Sequence, residues 1–165
     1  MNYQNKTVVI TGAPKGIGAS CARLFYEAGA KVALLDIAFD DFAINEERRL
    51  NLLCDVSVST QVKAVMDNIK NHFGSIDILV NNAGLQRDAK FHEMTLAQWQ
   101  LVIDVNLTGQ FLCAREAIRE FLRRGFVPER SVGCVKIICI SSVHELIHWG
   151  GHAKYASSKG GITVL

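Results

Sequence analysis

The sequence has no apolar run of membrane-spanning length, and its N-terminus lacks a basic segment leading into an apolar one. A bilayer-spanning helix needs about 20 mostly apolar residues, so neither a membrane span nor a secretory leader is expected. Charge of one sign is also lacking: 18 Lys and Arg face 16 Asp and Glu, a formal net charge of +2. Without a basic stripe or a nucleic-acid module, nucleic acid is not an expected partner. The five cysteines (Cys21, Cys54, Cys113, Cys134, Cys139) are odd in number, scattered and without paired spacing. That excludes a disulfide frame and a thiolate metal site, and points to reduced core thiols in a cytoplasmic protein. Repeats, low-complexity segments and linkers are absent as well. At 165 residues, 49% of them apolar, the chain reads as one domain able to bury a core.

What is present is an alternation of short β-branched runs with longer helical stretches. Strands are expected at 6–11 (KTVVIT), 31–36 (KVALLD), 50–54, 76–80 (IDILV) and 134–141 (CVKIICIS). Helices are expected at 16–29, 58–73 and 96–124, with a last one from about His152. Ile17, Cys21, Leu24, Phe25 and Ala28 share one face of the first helix, and Val62, Val65, Met66, Ile69 and Phe73 recur at helical spacing in the second. Strands this continuously apolar are buried on both faces, which implies a parallel sheet between helical layers. The expected fold class is therefore α/β: a doubly wound, Rossmann-like parallel sheet in three layers, with ligands at the carboxyl ends of the strands. Residues 38–47 and 125–131 are expected to be irregular. The helical pattern of 160–165 reaches the last residue without a cap or turn, so the expected domain stops inside its final helix, after the fifth strand.

Between the first strand and the first helix lies Thr11-Gly12-Ala13-Pro14-Lys15-Gly16-Ile17-Gly18. Glycines there allow a tight turn and let backbone N–H groups approach a pyrophosphate resting on the helix N-terminus. A plain glycine-rich turn is the alternative, but the strand–loop–helix context of the dinucleotide fingerprint is met. Asp36 ends the second strand, eighteen residues past Gly18, where a carboxylate can accept from the ribose hydroxyls of an adenosine. It would repel a 2′-phosphate, whereas Lys15 could pair with one. The carboxylate makes NAD the expected cofactor, with NADP possible. Asp55 and Val56 follow the third strand and can meet the adenine edge. Asn82, Ala83 and Gly84 bring small residues and amides to the central crevice.

Tyr155-Ala156-Ser157-Ser158-Lys159 sets a phenol and an ammonium four residues apart, on one helix face. An isolated tyrosine, with a pKa near ~10, is a poor base at neutral pH; a nearby cation favours its phenolate. Ser141 and Ser142 stand thirteen to fourteen residues upstream, at the end of an apolar strand.

Taken together, Thr11-Gly12-x-x-x-Gly16-x-Gly18, Asn81-Asn82-Ala83-Gly84, Asn106, Ser142 and Tyr155-x-x-x-Lys159 resemble the short-chain dehydrogenase/reductase family. Within it, segments such as Asn106-Leu107-Thr108-Gly109 and Ser141-Ser142-Val143-His144-Glu145 are similar to the glucose 1-dehydrogenases. The resemblance implies an oxidoreductase that moves a hydride between a nicotinamide and a secondary alcohol or ketone, such as a sugar or polyol. It implies Tyr155 as general acid/base, Lys159 as the group that assists it and holds the nicotinamide ribose, and Ser142 bonded to the reacting oxygen. Asn106 would hold a relay water, and Gln86 and His144 would meet the substrate. It also implies a small-molecule substrate and a homo-oligomer, a tetramer in the complete form. Three departures stand out: a shortened stretch between Asp36 and Asp55, Gln86 in place of a sugar-contacting glutamate, and a 148–151 loop without proline. Family members also continue past position 165, so a cofactor-binding fragment without turnover is the alternative reading.

His144-Glu145-Leu146-Ile147-His148 matches the zinc-protease pattern H-E-x-x-H, with Gly151 fitting its longer form. That chemistry needs both histidines on one helix face and a third ligand, but the eleventh position is Lys154. The segment leaves a strand and enters Trp149-Gly150-Gly151, which is poor helix material. No metal is expected here; His144 and Glu145 line the substrate pocket or sit on the loop surface.

Overall fold

Alternation along the central strands decides the layering, because successive side chains of a strand point to opposite faces. The computed structural model describes residues 3–40, 45–125, 136–147 and 149–165. Its six-stranded sheet contains β1 (Thr7–Thr11), β2 (Lys31–Asp36), β3 (Asn45–Glu46), β4 (Arg49–Leu53), β5 (Ile78–Asn81) and β6 (Lys136–Cys139). The order is β3-β4-β2-β1-β5-β6, parallel throughout except for β3. The helices are α1 (Gly16–Glu27), α2 (Ser59–Phe73), α3 (Leu96–Ile103), α4 (Gly109–Arg124) and α5 (Ala153–Ile162).

Val9, Ala33, Leu35, Leu50, Leu52 and Leu79 project to one face and pack under α2 and α4, through Met66, Ile69, Phe73, Leu112, Ala117 and Phe121. Val8, Ile10, Val32, Leu34, Ile78 and Val80 project to the other, beneath Ala22, Cys21, Phe25 and Tyr26 of α1. β1 and β5 are buried at every position, as the apolar runs require, whereas β6 alternates between exposed and half-buried. Cys54 and Cys113 sit in the first of these cores, and burial pushes the Cys54 thiol up to about 12 and Cys113 higher still. Such thiols are poor nucleophiles.

The structure departs from the sequence pattern in four places. Within the stretch expected to be irregular, Asn45–Glu46 forms a short antiparallel strand against β4. On α1, Ile17 and Leu24 are largely exposed, and Gly18 and Ala22 are the buried positions. Small residues are what allow this helix to lie close on the sheet. The expected single helix at 96–124 is interrupted by a π turn at Asp104–Thr108, where the Gly109 N–H donates to the Asp104 carbonyl. The last helix ends at Ile162 instead of running to Leu165; Val164 and Leu165 donate to the Gly161 and Ile162 carbonyls in a tightened turn. Cys134, residues 126–131 and His148 lie outside the described residues. No described helix is long and apolar enough to cross a membrane.

Candidate active site

The loops after β1 and β5 are tied together by Asn82. Its Nδ2 donates to the carbonyls of Thr11 and Gly12, at 2.9 Å each. Thr11 Oγ1 in turn accepts from the backbone N–H groups of Asn82 and Ala83, at 3.0 and 2.9 Å. Gly18 is required by this closure: a Cβ there would lie 2.3 Å from the Gly12 oxygen and 2.6 Å from Asn82 Nδ2. Gly16, at φ +59°, faces open space. The first turn of α1 has no acidic residue, and Lys15 at its N-cap makes no side-chain cap bond. Its unpartnered N–H groups and the positive end of the helix dipole suit an anion such as a pyrophosphate. Lys15 and Ile17 are exposed beside them.

Asp36 ends β2 with one oxygen engaged, Oδ1 accepting from the Ala38 N–H at 2.8 Å. Asp55 Oδ1 accepts from the N–H and hydroxyl of Ser57, at 2.9 and 2.7 Å, so it braces its own turn. The Val56 side chain belongs to the core and lies against Gly109, where a Cβ would be 2.8 Å from its Cγ2. A cavity of about 380 Å³ lies under α1, lined by Ala13, Pro14, Tyr26, Phe39 and others, but by none of the catalytic candidates.

Asn106 is fully buried at the centre of the π turn. Its Oδ1 accepts from the Leu85 N–H at 2.8 Å; its Nδ2 donates to the Leu85 carbonyl at 2.9 Å and to Ser158 Oγ at 3.1 Å. Ser158 Oγ donates to the Tyr155 carbonyl at 2.7 Å. Asn106 therefore clasps the loop after β5 to the helix that carries Tyr155. π turns inside helices are frequent at functional sites, and here the irregular turn places a buried amide where three segments meet.

Lys159 is 4% exposed, and its Nζ donates to the Ile140 carbonyl at 2.7 Å while lying 5.6 Å from the centre of the Tyr155 ring. Burial holds its ammonium below the usual lysine range, with Cys139 and Glu145 acting in the opposite sense. Gly84 adjoins both groups: a Cβ there would be 3.4 Å from Asn106 Oδ1 and 3.7 Å from Lys159 Nζ. Ser142 caps a 3₁₀ turn (Val143–Glu145), its Oγ accepting from the His144 N–H at 3.3 Å. Ser141 donates to Glu145. His144 packs edge-on to Tyr155, with ring centres 5.9 Å apart. Gln86 Nε2 stands 2.8 Å from His152 Nδ1.

The glycine loop, Asn82 to Gly84, Asn106, Ser142, Tyr155 and Lys159 thus meet at the carboxyl ends of β1, β5 and β6. The sequence profile of the short chain dehydrogenases matches residues 6–165. This chain belongs to the short-chain dehydrogenase family. It is 39% identical over 172 residues to the 3beta-hydroxysteroid dehydrogenase 1 of Eggerthella lenta, covering 99% of this chain and 63% of that protein. It is 33% identical over 169 residues to the glucose 1-dehydrogenase 2 of Bacillus subtilis, covering 97% of this chain and 63% of that one. The ligand-free aldohexose dehydrogenase of Thermoplasma acidophilum superposes with a TM-score of 0.83 at 36% identity, over 96% of this chain and 58% of that structure. The chain spans a little under two thirds of the length of the relatives it matches.

Motif reading missed Thr11, Ser158, Asp88 and His152. Thr11 and Ser158 sit inside the motifs and could have been found by asking where their hydroxyls bond. Asp88 and His152 lie in loops of no recognisable pattern.

Proposed function

We propose that this short-chain dehydrogenase catalyses NAD-dependent oxidation of a secondary ring alcohol, a sugar or polyol, or the reverse reduction. The observation that carries the reading is the buried Lys159 ammonium, tethered to the Ile140 carbonyl and set over the ring of Tyr155. That placement sets a cation beside the phenol that exchanges a proton with the alcohol, where it meets the negative charge that develops during transfer. The named relatives act on a hydroxysteroid, glucose and an aldohexose, and these support the choice of a ring alcohol.

The residues fit the cofactor as well. The uncapped first turn of α1 would hold the pyrophosphate, with Gly12, Gly16 and Gly18 keeping side chains out of the way. The second oxygen of Asp36 would take the adenosine ribose, Asp55 and the Val56 backbone would border the adenine, and Lys159 would meet the second ribose. When bound, the nicotinamide supplies the hydride acceptor. Tyr155 removes the alcohol proton, and Ser142, whose oxygen accepts from the His144 N–H, keeps its own proton to donate to the reacting oxygen. Asn106 has given both amide protons to Leu85 and Ser158, so a relay water is held by the main chain of the π turn rather than by the side chain. Gln86 and His144 border the substrate. A homo-oligomer in a cytoplasmic setting agrees with the family and with the reduced, buried thiols.

The test is a panel of sugars, polyols and ring alcohols, assayed with NAD and NADP on the protein expressed from its own gene. Turnover of a ring alcohol with NAD preferred supports the reading. Absence of turnover across the panel, together with no NADH binding, would refute it.

A further inference from the structure

Tyr155 adjoins a cluster of three more rings through His144. His144 is edge-on to it at 5.9 Å and stacks on His152 at 5.4 Å with the ring planes 10° apart. Trp149 stands edge-on to both imidazoles, at 5.0 and 6.1 Å. The two histidines are held from opposite sides. His144 Nδ1 is 3.0 Å from the Ile147 carbonyl. A carbonyl only accepts, so Nδ1 carries the proton and, in the neutral ring, Nε2 presents a lone pair. Among the described residues that nitrogen makes no hydrogen bond.

His152 is anchored elsewhere. Its side chain is 17% exposed, and its Nδ1 lies 3.1 Å from Asp88 Oδ1 and 2.8 Å from Gln86 Nε2, while that same amide donates to Asp88 at 3.1 Å. Asp88 and Gln86 come from the loop after β5, and His152 is the N-cap of the Tyr155 helix. The contact joins the two segments on the substrate side, as Asn106 joins them underneath. A planar ring held this way limits how the stacked His144 ring can turn.

We propose that His152 is a positioning residue for substrate selection: held through its Nδ1–H by Asp88, to which the Gln86 amide also donates, it holds His144 with Nε2 as an acceptor beside Tyr155. The site thereby selects alcohols that carry a second hydroxyl next to the reacting carbinol. The proposal rests on the dehydrogenase reading above. A site built around an acceptor disfavours the analogue that lacks the matching O–H, because the acceptor then loses water without gaining a partner. Tyr155 and Ser142 are both committed to the reacting oxygen, so neither can supply this second contact.

The first arm of the test needs no turnover. Long-range proton–nitrogen correlation spectra of the imidazoles should show His144 as the Nδ1–H tautomer. His152→Ala should release it to a tautomer mixture, and His152→Asn, whose amide can replace Nδ1 in the contact with Asp88, should largely preserve it. The second arm compares a vicinal ring diol with the matched ring alcohol lacking the second hydroxyl. In His152→Ala the ratio of their kcat/KM values should fall about tenfold, the worth of one hydrogen bond, mainly through the diol's KM. His152→Asn should recover most of it, and NADH affinity serves as the control for folding. His144 found as the Nε2–H tautomer, or an unchanged ratio in His152→Ala, would overturn the proposal. If the unaltered protein oxidises neither compound, the dehydrogenase reading fails, and the spectra alone decide whether His152 sets His144.

Discussion

Lys159→Met separates what Lys159 does for the fold from what it does for chemistry. Its Nζ lies 5.6 Å from the Tyr155 ring centre. Taking that separation and an effective dielectric of about 20, a lysine cation stabilises negative charge developing there in the transition state by about 3 kcal/mol, or roughly two powers of ten in rate. The substitution also leaves the Ile140 carbonyl without its donor, at a cost of about 1–3 kcal/mol. Against this stands the relief of no longer burying a charge, an effect large enough to hold this ammonium below its ordinary range. The two stability effects oppose each other, while the electrostatic effect on the developing charge has nothing to offset it. Lys159→Met should therefore melt within a few degrees of the unaltered protein, or above it, and lose about 10²-fold or more in initial rate of NADH formation. The pH dependence has a definite sign. Between the depressed folded value and the ordinary lysine value of 10.5, the unfolded chain binds more protons than the folded one. Stability from this group therefore rises with pH through that window, and the rise should vanish in Lys159→Met. Activity above a tenth of normal, or a collapse of the melting temperature at neutral pH, would refute the reasoning.

Tyr155→Phe keeps the ring and deletes the proton donor, so kcat should drop by roughly 10²–10⁴ or more with NADH binding retained; a tenth of the activity remaining would count against its role. Asp36→Ala should shift preference toward NADP by removing a carboxylate that would repel a 2′-phosphate, as read from the ratio of the two dissociation constants. Tighter binding of NADP by the unaltered protein would defeat that argument. Asn106→Ala removes the partner of the half-buried N–H and carbonyl of Leu85 and of the buried Ser158 hydroxyl, so chemical denaturation should show a loss of about 2–4 kcal/mol. A loss under about 0.5 kcal/mol would show that the clasp contributes little.

Some of this protein could be read from local pattern. Runs such as 32–35 and 78–80 are apolar at every position, as a strand covered on both faces requires, and the parallel order about β1 followed. The four-residue spacing of Tyr155 and Lys159 put both on one face without knowledge of anything else, because helix geometry is local. The glycine loop was legible for the same reason: it lies between a strand and a helix contiguous with it.

The partners that hold those groups were not legible. Asn106 was expected to hold a water, yet its amide is engaged by Leu85 and by Ser158, fifty-two residues away. Lys159 is steered by the Ile140 carbonyl, and His152 meets a glutamine sixty-six residues upstream. α1 is rotated from the face its apolar spacing suggested, keeping Cys21 and Phe25 on the sheet but turning Ile17 and Leu24 outward, since Gly18 must pass within contact of the Gly12 carbonyl and Asn82. Periodicity reports which way a side chain points along its own element. Which donor reaches which acceptor depends on how separate elements close on one another, and packing across the sheet decided that here.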